Sequence, residues 1–292
     1  MNRIGELAAI GAALSWTVNS LALERLGRGF SPWALNVMGK FFGLIAVSML
    51  ALALNGTFLP RADSTQWTLL LLSGFVGFSI GDVFLFHAFQ SLGARRTMLV
   101  FSANPVISAV LGWVLLGETV GWLHIGGIVL AVSGIMLVIR SDVPPEDGKA
   151  HGKALLHAVL ATLGQAGGVL LSKAGLRTLD PVTAAQMRLV GGVLGMALLL
   201  SVFRKWKTLP QLALSRRGWK MIGLNVVLGT LIGMVLSLLA IKNTQVAVAS
   251  ILTSLTPVMI LPISAIFLHE KVTLYEAAGA GVTVLGVALL FL

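Results

Sequence analysis

The chain carries one sequence pattern twice, and this duplication limits the folds that are open to it. Residues 67–137 align without a gap on residues 219–289, with 17 identities in 71 positions. The identities include a tryptophan, a proline and a glutamate in the same order: Trp67 on Trp219, Pro105 on Pro257 and Glu118 on Glu270. A repeat of this length predicts two copies of one structural unit.

The composition places both copies in a lipid bilayer. The 292 residues are 57% hydrophobic and only 11% charged, whereas soluble domains carry about 25% charged residues. The chain has no cysteine, which excludes a disulfide framework, a thiolate metal site and a cysteine nucleophile. The net charge of +10 could indicate nucleic acid, but the basic residues stand at the ends of apolar runs. We interpret them as membrane topology signals and predict no nucleic-acid partner.

Ten stretches are apolar over about 20 residues, the length that crosses a bilayer as a helix. We predict spans one to ten at about 4–23, 32–54, 67–91, 97–116, 121–140, 153–173, 181–203, 218–240, 246–267 and 273–292. Spans two and seven each begin with a capping residue and a proline, Ser31-Pro32 and Asp180-Pro181. The sequence therefore predicts an all-α integral membrane protein with ten transmembrane helices.

The most polar long connection, residues 141–152, divides these spans into two sets of five. We predict a first repeat in residues 1–140, a linker in 141–152 and a second repeat in 153–292. Because five is odd, the second repeat must enter the membrane from the opposite side. The two five-helix repeats are then inverted about an axis in the membrane plane, as in many secondary transporters.

Lysine and arginine are distributed unevenly among the loops. The loops after odd-numbered spans, counted with the span ends beside them, contain 14 of them, whereas the termini and the even-numbered loops, counted in the same way, contain 5. Cytoplasmic loops are enriched in these residues. We therefore expect the odd-numbered loops in the cytoplasm and both termini outside.

Each half contains a proline, then about a dozen apolar residues, then Leu-x-Glu, and ends in a glycine-rich span. The residues are Ala88, Pro105 and Leu116-Gly117-Glu118 in one half, and Ala240, Pro257 and Leu268-His269-Glu270 in the other. In this pattern the chain resembles the EamA family of the drug/metabolite transporter superfamily over nearly its whole length. The resemblance implies an inner-membrane exporter or exchanger of amino acids and other small metabolites, with a central cavity lined by helices 1, 3, 4, 6, 8 and 9. His269 departs from the usual glycine, but only in a loop.

Asp82 is the only acidic residue well inside an apolar run, near the middle of span three. A carboxylate at this depth costs about 2.5–3.5 kcal/mol on insertion scales and usually faces a polar interior. Its counterpart in the second repeat is Met234, so the repeat symmetry is broken here. One interpretation is a proton-coupling carboxylate or a counter-charge for a substrate amine. The alternative is a structural ion pair with Lys40 or Arg188.

Lys40 and Arg188 occupy near-equivalent positions, roughly 10–12 Å along spans two and seven. They could bind an anionic group such as a substrate carboxylate. The favoured alternative is that they reach the headgroups or pair with Asp82. His87 lies five residues after Asp82 on a different helix face, and we expect a hydrogen-bonded core residue rather than a proton relay. The remaining histidines lack metal-ligand spacing, so we predict no metal and no cofactor.

Spans one, four, six and nine supply neutral polar groups for a solute. Trp16 and Asn19 share a face of span one, and Gln165 is the counterpart of Trp16 in span six. Pro105 and Pro257 interrupt spans four and nine, which frees the carbonyl groups of Phe101 and Thr253. Such breaks near the midplane often mark a transporter's site, although a simple packing kink is the alternative. The predicted substrate-binding residues are Trp16, Asn19, Asp82, Phe86, Phe101, Asn104, Gln165, Thr253 and Thr256, and the predicted coupling or charge-pair residues are Asp82, His87, Lys40 and Arg188.

Repeated glycines and glutamates are expected to be structural. GxxxG pairs at 77/81 and 229/233 coincide under the repeat and predict close helix packing. Glu118 and Glu270 stand at helix ends, where they can accept hydrogen bonds from the next helix's first N–H groups.

Together these features predict a secondary transporter of a small polar or zwitterionic, amino-acid-like metabolite, acting by alternating access. No GxxxxGK[ST] motif is present, so the energy must come from gradients, with Asp82 as the candidate for proton coupling. A lipid-headgroup flippase on the same fold is one alternative. An intramembrane enzyme would need a second acid or a Ser/His/Asp set at membrane depth, so we predict that the chain is not an enzyme.

Overall fold

A computed structural model of the chain describes residues 4–104, 106–107, 122–140, 148–176, 179–243, 252–253, 255–268 and 272–289. This part of the chain is helical and contains no strand. The main helices are α1 (Ile4–Gly27), α2 (Pro32–Asn55), α3 (Ser64–Leu92), α4 (Ala94–Phe101), α5 (Trp122–Arg140), α6 (Gly148–Leu176), α7 (Pro181–Val202), α8 (216–243), α9 (Thr256–Leu268) and α10 (Leu274–Leu289). A 3₁₀ turn, Trp206–Thr208, and a short helix, Leu209–Ala213, connect α7 to α8.

Six of these helices are long and apolar enough to cross a membrane: α1, α2, α3, α6, α7 and α8. Ile125–Gly134 within α5 and the whole of α10 are shorter apolar helices. The predicted all-α membrane fold is therefore confirmed. The number of ten spans stays a prediction, because α4 and α9 are described over only 8 and 13 residues.

The helix N-termini show which sequence signals form real caps. Asp180 caps α7, because its Oδ1 accepts hydrogen bonds from the N–H groups of Val182 and Thr183, both at 3.0 Å. Ser31 occupies the same position before α2, but its side chain makes no capping hydrogen bond. Ser31 therefore stands at the predicted N-cap position before a proline, but its side chain does not contribute a capping bond.

Helix α3 begins at Ser64, three residues before the predicted span of about 67–91, because a capping box precedes it. Asp63 Oδ1 accepts a hydrogen bond from the Gln66 N–H at 2.7 Å, and Gln66 Oε1 accepts one from the Asp63 N–H at 3.0 Å. These reciprocal bonds satisfy two N–H groups and let the helix begin at Ser64.

Helix contacts have the same pattern in the two halves. Helix α1 packs on α8 as α6 packs on α3, and α2 packs on α8 as α7 packs on α3. The pairs α2 with α7 and α5 with α10 map onto themselves. Exchanging each helix for the one five positions away therefore leaves these contacts unchanged.

Helices α3 and α8 also leave α-helical geometry at corresponding places. Helix α3 is π-helical over Phe75–Gly81 and α8 over Asn225–Met234, and a shift of 152 residues places the first segment inside the second. Single π turns in long helices are rare and frequently occur at functional sites. The two π segments direct attention to the middle of α3 and α8.

Glycines bring α3 and α6 into backbone contact at the π segment of α3. A Cβ atom added to Gly164 would lie 2.8 Å from the Cα of Gly81, and one added to Gly168 would lie 3.0 Å from the Cα of Gly77. Real Cβ atoms essentially never approach as closely as 2.8 Å, and a contact of 3.0 Å is tighter than nine in ten of theirs. The GxxxG pairs therefore pack helices tightly, as their spacing predicts.

We expect replacement of Asp180 by alanine to destabilise the fold by about 1 kcal/mol at neutral pH. Burial raises the pKa of the Asp180 carboxyl, but hydrogen bonds from Thr183, Asn55 and Val182 outweigh it, and the pKa lies below its ordinary value. A lowered pKa means that the stabilisation is present above about pH 4 and is lost as the pH falls through the folded-state pKa. Thermal unfolding of both proteins at neutral and acidic pH measures this.

Ser31→Ala is the matched control, because Ser31 precedes a helix-starting proline without making a cap bond. Its unfolding temperature should equal that of the wild type at both pH values. If Asp180→Ala lowers the unfolding temperature by the same amount at acidic pH as at neutral pH, the assignment of the cap to the ionised carboxylate is contradicted.

Candidate functional site

Asp82 lies directly after the π segment of α3 and is 5% exposed. Its Oδ2 forms an ion pair with Lys40 Nζ at 2.5 Å, and its Oδ1 accepts a hydrogen bond from Gln165 Nε2 at 2.6 Å. The three residues come from α3, α2 and α6. One carboxylate therefore joins three helices, two from the first half of the chain and one from the second.

A second cation lies beside the same π segment. Arg188 on α7 is 6% exposed, and its Cζ lies 4.4 Å from the centre of the Phe78 ring. Lys40 Nζ lies at the same distance from that ring. Cation–π contacts of this kind contribute about 2 kcal/mol when they are desolvated. We call Lys40, Phe78, Asp82, Gln165 and Arg188 the charge cluster.

The charge cluster contains two cations and one carboxylate. Asp82 is committed to Lys40 and Gln165, whereas the Nε of Arg188 is buried and makes no hydrogen bond within the described part of the chain. Lys40 keeps 14% of its side chain exposed. The cluster therefore carries an excess positive charge, and Lys40 is the more exposed of its two cations.

Side-chain donors reach equivalent carbonyl groups in the two π segments. Gln165 Nε2 lies 3.4 Å from the Gly77 carbonyl oxygen, and Trp16 Nε1 lies 3.3 Å from that of Gly229. Gly77 and Gly229 are 152 residues apart, and the donors occupy the counterpart positions that the sequence indicates. In a membrane each backbone carbonyl needs a partner inside the protein. The two halves therefore stabilise their π segments in the same way.

Buried amide oxygens without donors lie beside both π segments. Asn36 Nδ2 donates to the Ser79 carbonyl at 3.5 Å, while its Oδ1 has no partner among the described residues. Asn19 Oδ1 is likewise unpartnered, and the Asn19 side chain faces Gly229. A buried acceptor without a donor costs about 1–3 kcal/mol, and native proteins keep such groups sparingly. Sequence reasoning singled out Asn19 but missed Asn36, which stands one turn before Lys40 on α2.

The remaining predicted residues lie at the break in α9 and in the apolar core. Thr256 Oγ1 donates at 2.8 Å to the carbonyl of Thr253, the group that Pro257 leaves without its helical donor. This freed carbonyl is therefore satisfied locally. Phe86 is buried in the largest hydrophobic cluster, and Phe101, at the end of α4, packs against it.

Asn104 marks the point where helical geometry resumes after the turn at Ser102 and Ala103. Pro105, Glu118 and Glu270 lie outside the described residues. The predictions made for these three residues therefore stay predictions.

His87 follows Asp82 by five residues on α3 and contacts the same two helices, α6 and α2, through other residues. Its Nδ1 lies 2.7 Å from the Val83 carbonyl oxygen, and its ring centre lies 5.3 Å from that of His157 and 6.5 Å from that of Trp33. Sequence reasoning did not pair the two histidines, because their contact depends on the glycine-mediated packing of α3 against α6. No group of three metal-ligating side chains occurs among the residues that were described.

Replacing both members of the Asp82–Lys40 pair should cost less than the sum of the two single replacements. Asp82→Asn leaves Lys40 as an uncompensated buried cation, and Lys40→Met leaves Asp82 without its counter-charge. Breaking a buried pair from one side typically costs about 3–5 kcal/mol, whereas removing both charges is often nearly neutral. Thermal unfolding of the wild type, the two single variants and the double variant in lipid nanodiscs measures the coupling.

Asp180→Ala, which changes a distant helix cap, provides the control for this cycle. Combined with Lys40→Met it should give additive losses. Additive losses for Lys40→Met and Asp82→Asn as well would contradict a direct ion pair.

The chain matches one protein family twice over nearly its whole length. The sequence profile of the EamA-like transporter family matches residues 3–140 and again residues 152–292. This family consists of transporters, which confirms the prediction that the chain is not an enzyme.

Individual proteins of other organisms are also similar to this chain in sequence. An uncharacterized transporter of Archaeoglobus fulgidus is 24% identical over 93% of this chain and 96% of its own length. An uncharacterized transporter of Synechocystis is 26% identical over 79% of this chain and 73% of its own length. A chloroplastic WAT1-related protein of Arabidopsis thaliana is 25% identical over 62% of this chain and 46% of its own.

Solved structures share the fold, among them a crystal structure of a protein. It superposes with a TM-score of 0.69 at 17% identity, over 98% of this chain and 95% of that chain. At this identity the likeness concerns the fold alone.

Proposed function

The chain belongs to the EamA-like transporter family, and from this premise we propose that it is a secondary active transporter of a small polar or zwitterionic, amino-acid-like metabolite. The proposed direction is export across the cytoplasmic (inner) membrane, with both termini outside. The observation that carries the proposal is the buried Asp82–Lys40 ion pair beside the π segment of α3. Scaffold helices in lipid rarely carry such charges, whereas solute and proton pathways do.

The proposed framework consists of two inverted repeats, residues 1–140 and 153–292, joined by the linker 141–152. It is supported by the contact pattern, which is unchanged when each helix is exchanged for the one five positions away. The matching π segments in α3 and α8 support it as well. In this framework one repeat moves against the other and exposes the charge cluster to each side of the membrane in turn.

The proposed coupling step is protonation of Asp82. A neutral Asp82 no longer attracts Lys40, so the contact between α2 and α3 weakens while Gln165 keeps only a neutral partner. Lys40 is the more exposed of the two cations in the charge cluster. Its release from Asp82 therefore changes the part of the site that an entering solute would contact. Proton movement and helix movement are then linked through one carboxylate.

The charge cluster suits a solute that carries both signs of charge. Asp82 and the free Asn36 Oδ1 can accept hydrogen bonds from an ammonium group, and Lys40 and Arg188 offer positive charge to an anionic group. These groups are buried or nearly so, which strengthens each electrostatic contact relative to water.

Asp82→Asn should retain downhill exchange and lose accumulation against a concentration gradient, because asparagine cannot exchange a proton. The solute is first identified by metabolite profiling of cells with and without the protein, and its flux is then measured in proteoliposomes with an imposed pH gradient. The double variant Asp82→Asn/Lys40→Met is assayed beside it. If this variant also loses accumulation, an unpaired Lys40 is not the cause of the loss.

Met234→Leu is the matched control, because Met234 occupies the counterpart position in α8 without a charge. It should accumulate the solute like the wild type. Full concentrative transport by Asp82→Asn would rule out the coupling role of this carboxylate.

A further inference from the structure

We propose that the connection between α7 and α8 is a binding surface for the headgroups of anionic phospholipids in the leaflet beside it. This surface, which we call the basic surface, consists of residues 203–220. Its ligand differs from the transported solute, and none of its residues belongs to the charge cluster. Three features support it: the charge of the segment, its fixed shape, and an arginine in a backbone conformation that favours glycine.

The basic surface carries six cations and no acidic residue. All six are exposed, and neither of the two ion pairs in the described part of the chain involves them. The cations are Arg204, Lys205, Lys207, Arg216, Arg217 and Lys220. A cluster of this size beside a transmembrane helix attracts anionic lipid headgroups. The charge of the basic surface is therefore complementary to phospholipid phosphates.

Apolar side chains are exposed among these cations. Trp206 is 46% exposed, Trp219 is 45% exposed and Leu214 is 87% exposed. The segment joins the end of one apolar helix to the start of the next, so we expect it to lie near the membrane surface. Tryptophan is enriched at this interface, because its ring is apolar and its N–H is polar. The basic surface can therefore contact acyl chains as well as phosphates.

The backbone of the basic surface is held in a fixed shape. Trp206 Nε1 donates a hydrogen bond to Ser201 Oγ at 3.0 Å, and Trp219 Nε1 donates one to the Ala213 carbonyl at 2.8 Å. Between them, Leu212 is fully buried in the largest hydrophobic cluster. A ligand that binds a preorganised surface loses less affinity to the ordering of the chain than one that binds a flexible tail.

Arg204 is the one non-glycine residue with a positive φ, 52°, in the described part of the chain. The Lys205 N–H bonds to the Leu200 carbonyl at 2.9 Å, and the Arg204 N–H bonds to that of Ser201 at 3.3 Å. These two bonds form the helix end that usually places glycine at the left-handed position. A side chain there is strained, and such strain often occurs where function needs the residue. Because Arg204 is exposed, that function lies outside the helix.

Phosphatidylglycerol is the anionic probe for the basic surface, and phosphatidylcholine is its zwitterionic comparison. The full-length protein in phosphatidylcholine nanodiscs is unfolded thermally as the fraction of phosphatidylglycerol increases at constant ionic strength. The unfolding temperature should rise by a few degrees and level off, because a ligand that binds only the folded state stabilises it. Added salt should reduce the rise by screening exposed charges. Inorganic phosphate in phosphatidylcholine nanodiscs should not reproduce it.

Two variants locate the site. The affinity for phosphatidylglycerol is measured in detergent by the quenching of tryptophan fluorescence with brominated lipid. In Arg204→Gln/Lys205→Gln/Lys207→Gln it should fall about a hundredfold, because each basic residue near an anionic surface contributes roughly a factor of five. Arg204→Gly should raise the unfolding temperature in pure phosphatidylcholine, since glycine relieves the positive φ, and should respond less to phosphatidylglycerol.

Arg61→Gln is the matched control, because Arg61 is an exposed arginine in the connection between α2 and α3. It should respond to phosphatidylglycerol like the wild type. Three results would overturn the proposal: the same shift with inorganic phosphate, wild-type affinity in the triple variant, or an equal loss of response in Arg61→Gln. A full phosphatidylglycerol response in Arg204→Gly would refute the role of Arg204.

Discussion

The ion pair between Asp82 and Lys40 is the interaction on which the rest of the site depends. Each charge alone would be costly at membrane depth, and together they are tolerated because they lie 2.5 Å apart and Gln165 binds the second carboxylate oxygen. This pairing fixes α2 and α6 against α3. The second cation of the cluster, Arg188, lies over the Phe78 ring, and its Nε has no hydrogen-bond partner among the described residues.

At the two π segments the backbone follows the symmetry of the repeats, whereas the side chains around them do not. Both π segments receive a hydrogen bond from a neighbouring helix at equivalent glycine carbonyls, from Gln165 in one half and Trp16 in the other. The charges occur only around the first segment, because Asp82 corresponds to Met234 and Phe78 to Thr230. Among the described residues, the charge cluster therefore has no counterpart around the second π segment.

Much of the fold could be predicted from sequence because its causes are local or periodic. Apolar runs of membrane length, the duplication and the Asp180-Pro181 helix start all follow from short-range patterns. The capping box of Asp63 and Gln66 can also be recognised in the sequence, and it predicts that α3 begins at Ser64. The π segments were not predictable, since no residue type or spacing marks a change in backbone hydrogen bonding within a helix.

The candidate site could be predicted residue by residue but not as an arrangement. Asp82, Lys40, Arg188 and Gln165 stand out because charges and amides are rare in apolar spans. The cation that pairs with Asp82 is decided by how α2 and α7 pack against α3. That packing depends on glycine contacts between distant parts of the chain. The same reason explains why the unpartnered Oδ1 of Asn36 was missed.

In the mechanism that we propose, Asp82 is ionised and paired with Lys40 at rest and takes up a proton during transport. Infrared difference spectroscopy of the reconstituted protein against Asp82→Asn observes this carboxylate directly as the pH is lowered. The account predicts a carboxylate band at neutral pH that is replaced by a protonated carboxyl band over the pH range in which solute is accumulated. An Asp82 signal that keeps one protonation state throughout that range would contradict it.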